Sequence, residues 1–150
     1  MVRPTALPKE HPDHHDADLV LRVYELRREA VMRQSRQELL GTFWPRSYED
    51  VLMVTKPNHP LNCALRQVGS YWEMVYGMVR HGIVHPEYFM ESNGEGLSLY
   101  VRIAPYLVQY RAEISPAAFR NAEWVATETA TGRRLFDVFT ARVKAKLESR

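Results

Sequence analysis

Between the breaker Lys56-Pro57-Asn58-His59-Pro60 and Gly82, the chain carries Leu61, Leu65, Val68, Trp72, Val75 and Val79 at alternating intervals of four and three. That spacing puts all of them on one face of an α-helix, where side chains recur every 3.6 residues. Tyr71, Met74 and Met78 make a second apolar stripe beside the first. A helix apolar around so much of its circumference needs neighbours on more than one side, so it belongs in the middle of a helical bundle. Gly69 and Gly77 weaken its interior by up to ~1 kcal/mol each, which predicts a neighbouring helix close against them. Gly82 predicts a left-handed stop, with Ile83 placed for a Schellman ending.

A second segment shows the same double pattern. Leu97, Val101, Ala104 and Val108 form one stripe, and Tyr100, Ile103, Leu107 and Tyr110 the other, with Pro105 predicting a bend. The two central helices are therefore expected at about 61–81 and 94–111. Before them, Leu19, Val23, Leu26 and Ala30 predict a helix capped by Asp16 or Asp18 and running to Leu40, with a stop at Gly41. Phe43-Trp44-Pro45 reads as a connector, and Ser47 with Asp50 as a capping box opening a short helix. Pro86 suits the first position of another short helix, reaching about Ser92, and Asn93-Gly94-Glu95-Gly96 then reads as a linker. Ser115-Pro116 predicts the start of a helix carrying Phe119, Ala122 and Val125. A last helix carries Leu135, Phe136, Phe139, Val143 and Leu147. The expected architecture is all-α: a single-domain bundle of about six or seven helices over residues 16–150, behind an extended tail at 1–15.

Composition narrows the function classes. A chain of 150 residues, 45% hydrophobic, can bury a core without staples. The single Cys63 excludes an intramolecular disulfide and fits a reducing compartment. The opening residues lack the apolar run of a signal peptide, and no stretch approaches the ~18 apolar residues of a membrane span. A cytoplasmic protein with no membrane partner is the expectation. The formal net charge of +2 is too balanced to imply a polyanionic partner. Arg133, Arg134, Arg142, Lys144, Lys146 and Arg150 outnumber Asp137 and Glu148 near the end; such a helix face is ordinarily just solvated, so nucleic acid is not an expected partner.

Chemistry-bearing groups are few. His11, His14 and His15, with Asp13 and Asp16, are metal-competent side chains in a segment that does not preorganise them, so adventitious capture is expected and no cofactor is implied. His59, His81 and His85 have no acids at ligand spacing. No phosphate-cradling loop or nucleophile elbow is present, which leans the reading away from an enzyme and leaves no catalytic residue to name. Glu73 and Arg102 each stand nearly alone as a charge in an apolar helix, which predicts an ion pair inside the bundle. Tyr71 and Tyr100 lie close by in sequence pattern, so Glu73, Arg102, Tyr71 and Tyr100 are the candidate lining of a ligand site between the central helices.

Phe43-Trp44-Pro45, the run SYWEMVYGMVRHG (Ser70–Gly82) and NGEGLSLYVRIAPYLVQYR (Asn93–Arg111) resemble a family of small bacterial helical proteins known only as a domain of unknown function. The resemblance covers roughly residues 17–148. It implies a helical fold, and no activity, substrate or site residue. The functional expectation is a non-enzymatic helical interaction or regulatory module that self-associates or binds another protein. The alternative is a small-ligand-binding helical protein with its site between the two central helices.

Overall fold

The computed structural model describes residues 9–149, which form α1 (His14–Arg27), α2 (Ala30–Thr42), α3 (Tyr48–Val54), α4 (Asn62–Arg80), α5 (Pro86–Ser92), α6 (Glu95–Ile103), a 3-10 turn (Ala104–Tyr106), α7 (Leu107–Glu113), α8 (Arg120–Glu128) and α9 (Ala130–Glu148). Among these residues there is no strand. As its double stripe requires, α4 is central: it packs against α2, α6 and α8, and α9 closes the far side over α6 and α8. Val68, Val75, Tyr76 and Val79 of α4 meet Phe89, Leu97, Ile103 and Val125 in a dry core. Each such side chain contributes roughly 1.5–3 kcal/mol by leaving water.

Local signals in the sequence set several helix ends. Gly82 adopts φ 72°, with its N–H on Val79 O at 3.1 Å and the Ile83 N–H on Met78 O at 2.9 Å. Those two bonds are the Schellman ending. Ser47 Oγ accepts from the Asp50 N–H at 3.2 Å, while Asp50 reaches one residue further back than a standard box, to the Arg46 N–H at 2.8 Å. Pro86 opens α5, whose cap is the Nδ1 of His85, accepting from Tyr88 N–H at 3.1 Å.

Other boundaries move for identifiable reasons. The single helix expected up to Leu40 breaks at Arg28, because Glu29 turns its carboxylate onto the N–H groups of Val31 and Met32 and starts α2 anew. The apolar stripe of α1 therefore ends at buried Val23, and Leu26 is left partly exposed. Helix α1 itself starts at His14, capped by Asp13 in a box completed by Asp16, so His14 and His15 are helical rather than extended tail; residues 1–8 lie outside the described residues. Pro105 converts the expected bend into a 3-10 turn. That turn resets the phase of α7: Leu107 and Tyr110 stay buried, but Val108 turns out to 86% exposure. A Cβ on Gly77 would lie 3.0 Å from Asn121 Nδ2, whereas one on Gly69 would meet nothing within 4 Å, so only one of the two interior glycines marks a close neighbour.

Candidate functional site

Arg102 and Glu73 are not paired. Arg102 is 6% exposed and donates from Nη1 to the carbonyls of Leu40 at 2.9 Å and Phe43 at 2.6 Å. Its guanidinium carbon stacks 3.8 Å from the Trp44 ring centre, and Nε finds no partner. Burial lowers its pKa to about 10. The carbonyl of Leu40 belongs to the last turn of α2, where backbone acceptors have no partner within the helix. Arg102 is thus a cap delivered from α6, and the ring of Trp44 does what a carboxylate was expected to do. Lys146 also approaches that ring, at 5.5 Å, and Arg46 donates to Leu147 O at 2.8 Å, which ties the end of α9 to the same connector.

Glu73 serves a helix distant in sequence. Its two oxygens accept from the N–H groups of Asn121 at 3.1 Å and Ala122 at 2.8 Å, and its backbone carbonyl accepts from Asn121 Nδ2 at 2.9 Å. A carboxylate on free N–H groups at the positive end of the helix dipole is a strong cap. It explains why Ser115-Pro116 does not start α8. The chain instead makes two turns, Ala118 N–H on Ser115 O and Arg120 N–H on Ala117 O, then passes through Phe119 at φ 57°. That left-handed conformation is costly for a side-chain-bearing residue. It is held by Arg111 Nε on Ala118 O at 3.0 Å and by packing of the Phe119 ring against Tyr110 and Tyr100.

This detour opens a groove on the outer flank of α4, with a volume of about 840 Å³. Buried Leu65, Tyr110 and Phe119 and the more exposed Ile114 supply its apolar lining. Arg66, Gln67, Ser70 and Glu73 of α4 supply the polar side, and exposed Cys63 lies at the α4 N-terminal end. Of the candidate ligand residues, Glu73 alone lines it. The space between α4 and α6 is filled instead. A Cβ on Gly96 would sit 2.6 Å from Tyr76 Oη and 2.7 Å from the Trp72 ring. Tyr71 spends its hydroxyl on Val23 O at 2.6 Å, and Tyr100 packs beside Phe119 and Phe136. Burial pushes the phenols of both up to about 12, as expected for neutral core tyrosines. Ile114 is the apolar groove residue that periodicity does not single out. The signal for it in the sequence is an isoleucine stranded between a helix end and a Ser-Pro turn.

The histidines do not converge. His11 is exposed, and His14 and His15 stack on one another with centroids 4.2 Å apart on the first turn of α1. Among the described residues no group of three or more His, Cys, Asp or Glu side chains is placed to hold a metal. Asp16, the acid of that cluster, is fully buried and structural: it accepts from the N–H groups of Asp13 and His85, both at 2.9 Å, and from Lys9 Nζ at 3.2 Å. Burial raises its pKa, and these hydrogen bonds outweigh that and hold the carboxyl below the usual range. None of the helices in the described residues is long and apolar enough to cross a membrane.

A family model described as Domain of unknown function (DUF4760) matches residues 12–129. The matched stretch ends at the residue that caps α9, so the last helix lies outside it. No curated protein and no solved structure matches the chain.

Proposed function

We propose, for a chain that belongs to the family of this domain of unknown function, that it is a non-enzymatic interaction module which receives an amphipathic helical segment of another protein in the groove flanking α4. The observation that carries this reading is the groove's lining: apolar residues of α4, α7 and the 115–119 turns lie beside Arg66, Gln67, Ser70 and Glu73 of α4. A helix lays its apolar face into such a trough and leaves its polar face in water. Small ligands instead favour enclosed pockets that cover most of their surface, and here the volume between the central helices is occupied by Trp72 and Tyr76. The charged groups that sequence reasoning singled out support the fold: Glu73 caps α8, Arg102 caps α2, and Asp16 closes α1 onto α5. The free, exposed Cys63 suits a reducing, cytoplasmic setting.

The test uses Cys63 as a reporter. Helical peptides selected from a display library against the full chain should slow alkylation of Cys63 and lose affinity on Ile114→Glu. Selected peptides that leave Cys63 reactive and ignore Ile114→Glu, or a small molecule retained in the purified protein at this site, would overturn the reading.

A further inference from the structure

A second surface, remote in sequence from the groove, points to a different partner. On α1 and its C-cap residue, Asp18, Leu21, Glu25 and Arg28 recur at intervals of three, four and three, which puts them on one helix face. That face is turned to solvent: Leu21 is 62% exposed and Tyr24 beside it 45%. The opposite side of α1 faces the core through buried Asp16 and Val23 and partly buried Leu19 and Val20. An open concavity of about 550 Å³ lies alongside, lined by Leu21, Tyr24, Glu25, Arg28, Glu29 and Arg33. Its apolar residues thus sit among two acids and two bases.

We propose that this α1 face binds a second copy of the chain, with the two α1 helices antiparallel about a two-fold axis. Charge order selects that occupant. A two-fold interface must be complementary to itself, and Asp18, Arg22, Glu25 and Arg28 alternate in sign, a series whose reverse sets opposite charges against one another. An axis crossing near Arg22 and Val23 sets Asp18 of each copy opposite Arg28 of the other, and Glu25 beside Arg22. Leu21 and Tyr24 are then covered at the centre. Each side chain in these pairs is free to rotate toward its mate: Asp18, Arg22 and Glu25 make no side-chain hydrogen bond within the described residues, and Arg28 only rests 5.3 Å from the Tyr24 ring. The contact is short, so the dimer is weak. It does not depend on the groove beside α4.

Sedimentation equilibrium on the full chain tests it with two charge variants. Asp18→Arg with Glu25→Arg makes the face basic, and Arg22→Glu with Arg28→Glu makes it acidic. None of these residues holds the fold, and circular dichroism should confirm unchanged helicity. Each variant alone should associate about tenfold or more weakly than the parent. An equimolar mixture of the two should recover a mixed dimer of near-parental strength, which misfolded protein cannot produce. Ile114→Glu in the groove should leave association untouched. The proposal fails if the parent stays monomeric to about 1 mM, if either variant dimerises like the parent, if the mixture remains monomeric, or if Ile114→Glu abolishes the association.

Discussion

Replacing Arg102 by Met keeps a flexible apolar stem beneath Trp44 and removes the guanidinium. Three favourable contacts vanish. The bonds from Nη1 to Leu40 O and Phe43 O come from a charged donor and are worth about 1.5–3 kcal/mol each. The stack on Trp44, largely shielded from water, contributes about 2 kcal/mol more. Against these stands the burial that depresses the pKa to about 10, a penalty on the charged form of roughly 3 kcal/mol. The balance leaves Arg102 stabilising by about 2–5 kcal/mol, a large part of the ~5–15 kcal/mol of a typical domain. Urea unfolding of Arg102→Met should therefore show a lower midpoint with an unchanged slope. Because Glu73 serves α8 and not Arg102, a double-mutant cycle with Glu73→Leu should be additive within about 0.5 kcal/mol. A cost for Arg102→Met below about 0.5 kcal/mol, or a coupling above about 1 kcal/mol, would refute the assignment.

Gly96→Ala should cost about 2–3 kcal/mol in the same assay, since its Cβ would be driven into Tyr76 and Trp72. Gly69→Ala, with open space around it, should be neutral or stabilising by up to ~1 kcal/mol, and a reversed order of the two would contradict the packing. Asp16→Asn should destabilise by about 2–3 kcal/mol by stripping the carboxylate from Lys9 and two backbone N–H groups. Because the folded pKa of Asp16 is depressed, its contribution is present above the ordinary carboxyl range and is lost as pH falls through the folded value. The gap between parent and variant, measured by unfolding in acid, should therefore narrow. Tyr71, Tyr76 and Tyr100 have folded pKa values raised by burial, to about 12 for Tyr71 and Tyr100, so their contribution is intact below the ordinary phenol value of about 10 and is lost as pH rises from there toward the folded values. Stability should fall by up to about 4 kcal/mol per pH unit in that window, with tyrosinate absorbance rising together with loss of helicity; ionisation near pH 10 in a still-helical protein would contradict their burial.

Much of the architecture was legible in the chain because it is local. The double stripes of Leu61–Val79 and of Leu97–Tyr110 located the two central helices, since periodicity alone decides which face is apolar. Gly82 stopped α4 as expected, and Ser47 opened α3, because those bonds form within a few residues. Leu65, Trp72, Val75 and Val101 are buried as their stripes require, and Ala104 is half-buried at the bend. The match to a domain of unknown function over residues 12–129 bears out that part of the resemblance, and it stops short of the residue 148 to which the resemblance was extended.

What the tertiary structure decided concerns groups whose partners lie far along the chain. Glu73 meets the first N–H groups of α8, 48 and 49 residues away, and so moved the start of that helix past Ser115-Pro116. Arg102 meets carbonyls 62 and 59 residues away, where an acid had been expected. A buried charge demands compensation, and its side chain says so. Whether a carboxylate, a helix end or an aromatic face provides it depends on what the other helices bring within about 3 Å, which no periodicity encodes. The groove depends on the same long-range contact: Glu73, which caps α8, lines it together with Ser115, Ala118 and Phe119 of the turns that precede that helix.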